Sequence, residues 1–118
     1  MIEMAFEKLH VWQKSMQLAL QIYSYTENFP KKEQFGLTSQ MRRAAVSVPS
    51  NIAEGSQRRS DKEFASYLLI AKGSLAELKT QARLARDLKF LQVDVYNMLF
   101  NKIIEIDKML HAFHGKLV

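Results

Sequence analysis

The chain has 118 residues, of which 47% are hydrophobic and 25% are charged, so it is expected to form one compact globular domain spanning residues 1–118. It has no cysteine, which excludes disulfides, thiolate catalysis and cysteine-ligated metal. Its net charge is +5, and its longest uninterrupted apolar run, residues 67–71, is too short to cross a bilayer. Because the N-terminal residues show neither a basic leader nor an apolar segment, we expect a cytoplasmic protein without a membrane role.

Glycine and proline are scarce, and they divide the chain into four segments of helical periodicity. Pro30 closes the first segment, Gly55 closes the second and Gly115 closes the last. Ser60 and Glu63 have the spacing of a capping box at the start of the third. The predicted helices cover about 7–28, 37–54, 61–87 and 94–114.

The first helix is apolar on two faces. The face expected to pack on the core contains Leu9, Trp12, Met16, Ala19, Leu20 and Tyr23. A second face contains Val11, Leu18, Ile22 and Tyr25. Since a bundle of four helices needs one buried face per helix, the second face predicts self-association. The alternative is that this helix lies centrally in an uneven bundle.

The second helix carries a polar stripe beside its apolar face. The apolar face contains Leu37, Met41, Ala44, Ala45, Val48 and Ile52, and the stripe contains Arg43, Ser47, Ser50 and Glu54. Polar groups ordered in this way often pair across an interface, so the stripe is a candidate oligomer contact, with Arg43 meeting a carboxylate of another helix or subunit. Gly55 is expected to end the helix in the left-handed conformation.

The third and fourth helices have apolar seams at alternating intervals of three and four residues. The seams contain Phe64, Leu68, Ala71, Leu75, Leu78, Ala82 and Ala85 in the third helix, and Tyr96, Leu99, Ile103, Ile106, Leu110 and Phe113 in the fourth. Such seams are typical of helices that pack nearly parallel or antiparallel. With short connections, they predict an all-α fold, an antiparallel up-down-up-down four-helix bundle.

The positive charge is concentrated in the middle of the chain, where residues 31–60 sum to +4 and residues 61–90 sum to +2. Candidate phosphate-binding residues are Arg42, Arg58 and Arg59 around the second helix, and Lys72, Lys79, Arg83 and Arg86 along one flank of the third. This pattern favours RNA or DNA as a partner, bound with little sequence specificity. The alternative is a solvated helix flank in a structural or protein-interaction scaffold that has no nucleic-acid role.

No residue pattern indicates an enzyme, a cofactor or a metal site. Ser47 and Ser50 lack a nucleophile-elbow sequence and a nearby histidine, and a single glycine after a helix is no phosphate cradle. His111 and His114 have a spacing that would allow a shared metal ion. We interpret them as solvated histidines at the end of a helix.

Two blocks resemble a known family. "FGLTSQMRRAAVSVPSNIAEG" (35–55) and "EFASYLLIAKGSLAELKTQ" (63–81) are similar to the four-helix-bundle family encoded by intervening sequences within bacterial 23S ribosomal RNA genes. "FEKLHVWQKSMQLALQIY" (6–23) looks like that family's first helix. A more distant similarity is to the accessory variability protein of diversity-generating retroelements.

The resemblance implies a homopentamer that offers a basic surface to nucleic acid, and by distant analogy it implies a reverse transcriptase as a further partner. It carries over no catalytic residue. Sequence and resemblance together predict a non-enzymatic oligomeric protein associated with RNA or DNA.

Overall fold

The computed structural model describes residues 5–118 and is all-α. Its four long helices are α1 (His10–Thr26), α2 (Leu37–Ser56), α3 (Asp61–Asp87) and α4 (Val93–Leu117), and short 3-10 helices cover Phe6–Lys8 and Lys31–Glu33. Over this range there is no β-strand, and none of the helices is long and apolar enough to span a membrane. Residues 1–4, on which the expectation of no leader partly depends, lie outside the described residues.

Helices that follow one another in sequence also contact one another in space. The most extensive contact is between α2 and α3, followed by α3 with α4 and α1 with α2. A weaker contact of α1 with α4 joins the first and last helices. The described chain measures 48 × 23 × 20 Å, so it is elongated.

One core runs between the four helices, and it confirms the predicted apolar faces of α2, α3 and α4. Met41, Val48 and Ile52 of α2 are completely buried. The seam of α3 is buried apart from Phe64, and the seam of α4 is buried apart from Phe113; these two rings are half-buried and pack edge to face, with centroids 5.1 Å apart. Helical periodicity therefore identified three of the four core faces correctly.

The predicted faces of α1 are exchanged only in part: of the face expected in the core, Ala19 is buried, and Leu9 and Trp12 pack partly buried against the core. Val11, Leu18 and Ile22 are 4%, 1% and 0% exposed, so they belong to the core and the prediction that they lie at an oligomer interface is wrong. Tyr25 is exposed, as are Met16, Leu20 and Tyr23, which had been expected in the core.

Ser15 explains why the buried face of α1 was misread. It lies among the core residues of this helix, and a serine counts as polar in a hydrophobic pattern. Its hydroxyl donates to the carbonyl oxygen of Val11 at 2.6 Å, so the group is buried with a hydrogen-bond partner.

Gly55 also differs from its prediction. It lies inside α2, it is buried, and no described glycine has a positive φ. A Cβ at this position would lie 2.6 Å from Cβ of Tyr67 and 2.9 Å from Cδ1 of Phe64. The glycine is therefore required by the close approach of α2 to α3 and not by a left-handed turn.

Two turns fix the ends of α3. At its start the Ser60 side chain accepts from the amide of Glu63, as predicted, whereas the Glu63 carboxylate accepts from the amide of Arg59. At its end Lys89 adopts a left-handed φ of 65°, and the Phe90 amide donates to the Ala85 carbonyl at 2.8 Å. The turn leads into α4, which packs against α3.

Candidate functional site

A surface depression of about 670 Å³ lies between α3 and α4, and we call it the α3–α4 groove. Its lining residues are Ala76, Lys79, Thr80, Arg83, Leu84, Asp87, Tyr96 and Phe100. Lys79, Arg83 and Arg86 share one flank of α3 because they are spaced by four and three residues. Tyr96 and Phe100 are spaced by four on α4, so their rings face that flank.

Each cation of this flank contacts an aromatic ring of α4. The Lys79 ammonium lies 5.2 Å from the ring centroid of Phe100, and the Arg86 guanidinium carbon lies 4.6 Å from that of Tyr96. Nε of Arg83 donates to the Tyr96 hydroxyl at 3.5 Å. These contacts hold three positive groups in a row over a shared aromatic wall.

The charges of the row are unequally compensated. Arg86 pairs with the neighbouring Asp87 at 2.8 Å, whereas neither Lys79 nor Arg83 forms an ion pair within residues 5–118. The hydrogen bond from Arg83 to Tyr96 raises the pKa of Arg83. The Arg83 guanidinium therefore stays charged throughout the neutral range. The stabilisation of the folded state that comes from the raised pKa is complete below the ordinary arginine pKa and is lost only as the pH rises through the raised value.

Lys72 continues the row toward the middle of α3, but it is compensated. Its ammonium bonds to the carboxylate of Asp107 at 3.1 Å, and only 26% of its side chain is exposed. It lines a smaller depression of about 130 Å³, which shares Ala76 and Lys79 with the α3–α4 groove. The two depressions therefore form one continuous path along the helix pair.

Arg42, another candidate phosphate ligand, is occupied at the end of α1. Its Nε donates to the Thr26 hydroxyl at 3.0 Å, its Nη2 donates to the Tyr23 carbonyl at 3.3 Å, and its guanidinium stacks 4.6 Å from the Tyr23 ring. A cation at this position also satisfies the negative end of the helix dipole. The surroundings of Arg42 indicate that it fastens α1 to α2.

Arg58 and Arg59 lie in the connection between α2 and α3, away from the groove. Arg58 pairs with Glu54 at 2.6 Å and stacks on Tyr67, whereas the side chain of Arg59 is exposed. Arg59 precedes α3 and Arg86 lies near its end, so roughly 35 Å of helix separates them. The seven predicted ligands therefore do not form a single site.

The predicted stripe on α2 meets three different surroundings. Arg43 and Ser47 line a polar depression of about 340 Å³ between α2 and α3, together with Glu77, and the Ser47 hydroxyl lies 2.8 Å from that of Ser74. Glu54 is paired with Arg58. Ser50 lines an apolar depression on the side of α2 that faces α1.

This second depression, between α1 and α2, has a volume of about 380 Å³, and we call it the α1–α2 depression. It is lined by Phe6, Trp12, Met16, Ala19, Leu20, Tyr23, Val46, Pro49, Ser50 and Ala53. Leu20 is 68% exposed, and Met16, Tyr23 and Val46 are also exposed. None of its lining residues is charged, in contrast to the lining of the α3–α4 groove.

Sequence reasoning missed Phe100 as a site residue and interpreted Tyr96 as a core residue alone. The available signal was an aromatic pair spaced by four residues opposite a cationic row of the same pitch. For metal ions, no group of three potential ligands from His, Asp and Glu lies together within the part of the chain that the structure describes.

Comparison with known proteins gives a family and a related structure. The family model described as 23S rRNA-intervening sequence protein matches residues 7–112. The crystal structure of a protein of unknown function from the S23 ribosomal protein family of Bacteroides thetaiotaomicron superposes with a TM-score of 0.78 and 27% identity, over 86% of this chain and 95% of that chain. No curated protein matches the sequence significantly.

Proposed function

Since the chain belongs to the family of 23S rRNA-intervening sequence proteins, we propose that it is a non-enzymatic protein that associates with RNA or DNA through the phosphate backbone. The observation that carries the proposal is the row of Lys79, Arg83 and Arg86 along the α3–α4 groove. Two of these cations lack a carboxylate partner within the described residues, so their charge is available to a polyanion.

The spacing of the row suits a phosphate backbone. Lys79 and Arg86 are seven residues apart, which is roughly 10 Å along the helix, and one strand of B-DNA carries about three phosphates over that length. Contacts of this kind supply affinity and orientation without reading base sequence. We therefore assign little sequence specificity to the interaction.

The proposal includes an antiparallel up-down-up-down bundle. Supporting contacts run in opposite directions along neighbouring helices: Gly55 lies against Tyr67, while Ser47, earlier in α2, contacts Ser74, later in α3. In the same way Lys72 contacts Asp107, and Lys79 contacts Phe100.

We further propose that the protein assembles as a homopentamer through the α1–α2 depression. Its exposed apolar residues, Met16, Leu20, Tyr23 and Val46, favour burial against another copy. The number five comes from the family resemblance alone. In a ring each copy would present one α3–α4 groove, so weak phosphate contacts would add up along a long nucleic acid.

Nucleic-acid binding is tested by fluorescence anisotropy of labelled RNA and DNA oligomers at several salt concentrations. We expect reversal of Lys79, Arg83 and Arg86 to glutamate to abolish binding or to reduce the slope of log affinity against log salt by about two to three, because each lost phosphate contact removes about 0.7–0.9. The control carries the same change of charge at Lys31, Lys32 and Lys108, which are exposed and lie outside the groove. Equal effects of the two triple variants would contradict the proposal.

Assembly is tested by sedimentation velocity of Leu20→Glu against Ile70→Glu. Both side chains are exposed, 68% and 51%, so neither change should unfold the chain. We expect the first variant alone to dissociate. If both variants assemble as the wild-type protein does, the α1–α2 depression is not the interface.

The α1–α2 depression also supports a second candidate function, a scaffold that binds another protein and has no nucleic-acid role. Its apolar lining offers a docking surface without charge. Nuclease treatment distinguishes the two candidate functions. A protein bound directly by the scaffold stays bound after RNA and DNA are digested, whereas proteins held through nucleic acid are released.

A further inference from the structure

The α3–α4 groove contains two aromatic residues, Tyr96 and Phe100, that phosphate binding does not require. Phosphates need only cations, yet the Phe100 ring lines the depression and is half-buried beneath the ammonium of Lys79. Lys79 itself is exposed. A flexible ammonium over an aromatic face at the surface is a weak contact that a ligand can displace.

We infer that the α3–α4 groove binds single-stranded nucleic acid by stacking one unpaired base on Phe100. The inference rests on the proposed nucleic-acid association and specifies its substrate. Bases of every type have a flat π face, so stacking on an aromatic side chain selects for accessible bases and not for a sequence.

The groove has room for such a base. Its volume of about 670 Å³ falls in the range of sites that hold small molecules, about 300–1,000 Å³. On the α3 side the space exists because Ala76 and Thr80 have short side chains, and Leu84, which is 50% exposed, supplies an apolar edge. A base in this space would take the position of the ammonium over the ring of Phe100.

The neighbouring cations can bind the phosphates that flank the stacked base. Lys79 contacts Phe100, Arg83 contacts Tyr96 in the same groove, and neither has an ion-pair partner in residues 5–118. Once a base has displaced the ammonium, both cations can contact the phosphates on either side of the stacked base. Tyr96 is 4% exposed and is covered by Arg86, so it orients the cations and leaves Phe100 as the stacking surface.

A duplex cannot use this site without disruption. Its bases are already stacked and paired, and extruding one of them is unfavourable. Double-stranded nucleic acid would therefore contact only the cationic row. The wild-type protein should prefer a single strand to a hairpin duplex of the same charge.

The experiment compares Phe100→Leu with Phe113→Leu, which replaces another half-buried phenylalanine of α4 outside the groove. Both variants keep the net charge. We expect Phe100→Leu to weaken binding of a labelled 12-nucleotide single strand roughly tenfold, since base stacking is worth about five- to hundredfold in affinity. Duplex affinity should fall much less, because the variant loses only the contact between Phe100 and Lys79, and the salt slope should stay the same because no charge changes. Phe113→Leu should change neither affinity.

Two further measurements test base stacking without the Phe100→Leu variant. Ala76→Leu fills the groove from an exposed position and should weaken single-strand binding without affecting duplex binding. An oligonucleotide containing 2-aminopurine should lose fluorescence on binding to the wild-type protein, because stacking quenches the base.

The outcomes separate this inference from the proposed function. If single strands and duplexes bind equally and Phe100→Leu affects neither, while reversal of the cationic row removes both, the stacking inference is overturned and the phosphate proposal stands. If the wild-type protein binds no oligomer even at low salt, the phosphate proposal itself falls.

Discussion

The contact between α2 and α3 and the contact between α1 and α4 are built in opposite ways. At the first, Gly55 brings the two backbones close together, and the hydroxyls of Ser47 and Ser74 bond across the interface. At the second, Lys14 pairs with Glu105 at 3.4 Å in an exposed position. The amide nitrogen of Gln21 donates weakly to the sulfur of Met98 at 3.7 Å.

The difference indicates where the helices pack most closely. Small residues allow dense packing between α2 and α3, so the backbone of α3 is held firmly against α2. Buried oxygens without a hydrogen-bond partner among residues 5–118 occur on both sides, Oε1 of Gln21 in α1 and Oε1 of Gln81 in α3, and this state is unfavourable for a polar atom. The candidate site lies along α3, which makes the two most extensive helix contacts of the described chain, whereas the contact of α1 with α4 is the weakest of the four between long helices.

The largest expected effect comes from Gly55→Ala, which would disrupt the close contact between α2 and α3. The added methyl group would overlap Cβ of Tyr67, an atom that cannot move without the backbone of α3. We expect a loss of about 3 kcal/mol in the free energy of unfolding, because overpacking forces the helices apart. Urea denaturation followed by circular dichroism measures it.

The matched control is Gly73→Ala in the middle of α3. Nothing lies within 4 Å of a Cβ there, and the backbone is helical. This variant should gain about 0.5–1 kcal/mol, since alanine is the better helix former. If the two variants change stability by the same amount, close approach of α2 and α3 is not the reason for glycine at position 55.

An intermediate effect is expected from Arg42→Ala, which tests how α1 is fastened. Removing the bonds to Thr26 and Tyr23 should lower the free energy of unfolding by about 1–2 kcal/mol. Arg43→Ala removes an exposed side chain and should stay within about 0.5 kcal/mol. Thermal melts of the two variants make the comparison, and equal melting temperatures would contradict it.

The same pair tests the predicted oligomer contact of Arg43 in a separate measurement. There the order should reverse, with Arg43→Ala raising the dissociation constant of the assembly more than Arg42→Ala does. A ring uses two different faces of each copy, and the polar depression that Arg43 lines is the candidate for the second face beside the α1–α2 depression. Sedimentation equilibrium at several protein concentrations measures both constants. A larger effect of Arg42 on assembly as well would remove Arg43 from the interface.

The smallest expected effect is a gain. Gln21→Leu replaces a buried amide, whose oxygen has no partner within the described chain, by an apolar group of similar size, and it should stabilise the protein by up to about 1 kcal/mol. Gln17→Leu on the exposed side of α1 is the control and should be nearly neutral. A loss of stability in Gln21→Leu would mean that the bond to Met98 matters more than its length suggests.

The sequence was sufficient for the four helices and three of their core faces, because long segments with one clear apolar stripe have one way to pack. Family membership was also predicted correctly, and the match over residues 7–112 confirms it. The distant similarity to the retroelement protein stays a prediction. So do the predicted nucleic-acid and oligomer roles, apart from those of Val11, Leu18 and Ile22, which lie in the core.

The failures have physical causes. In α1 two faces are similarly apolar, and the choice between them depends on a serine whose hydroxyl bonds within its own helix. At Gly55 the sequence cannot distinguish a glycine needed for a turn from one needed for close approach. For Arg42 the partners Thr26 and Tyr23 are distant in sequence, so the pattern of charges alone could not show that this cation is occupied. For Arg58 the spacing of four residues from Glu54 was an available signal that was not used.

The order of the helix contacts also has a consequence for how the chain folds. Among the four contacting pairs of long helices within residues 5–118, three join helices adjacent in sequence, and α1 with α4 is the pair most distant in sequence. Chains dominated by local contacts fold fast, and the contact that closes the longest loop carries the largest entropic cost. Docking of α1 on α4 should therefore be the late step, with φ-values near zero at Lys14 and Gln21 and high values between α2 and α3.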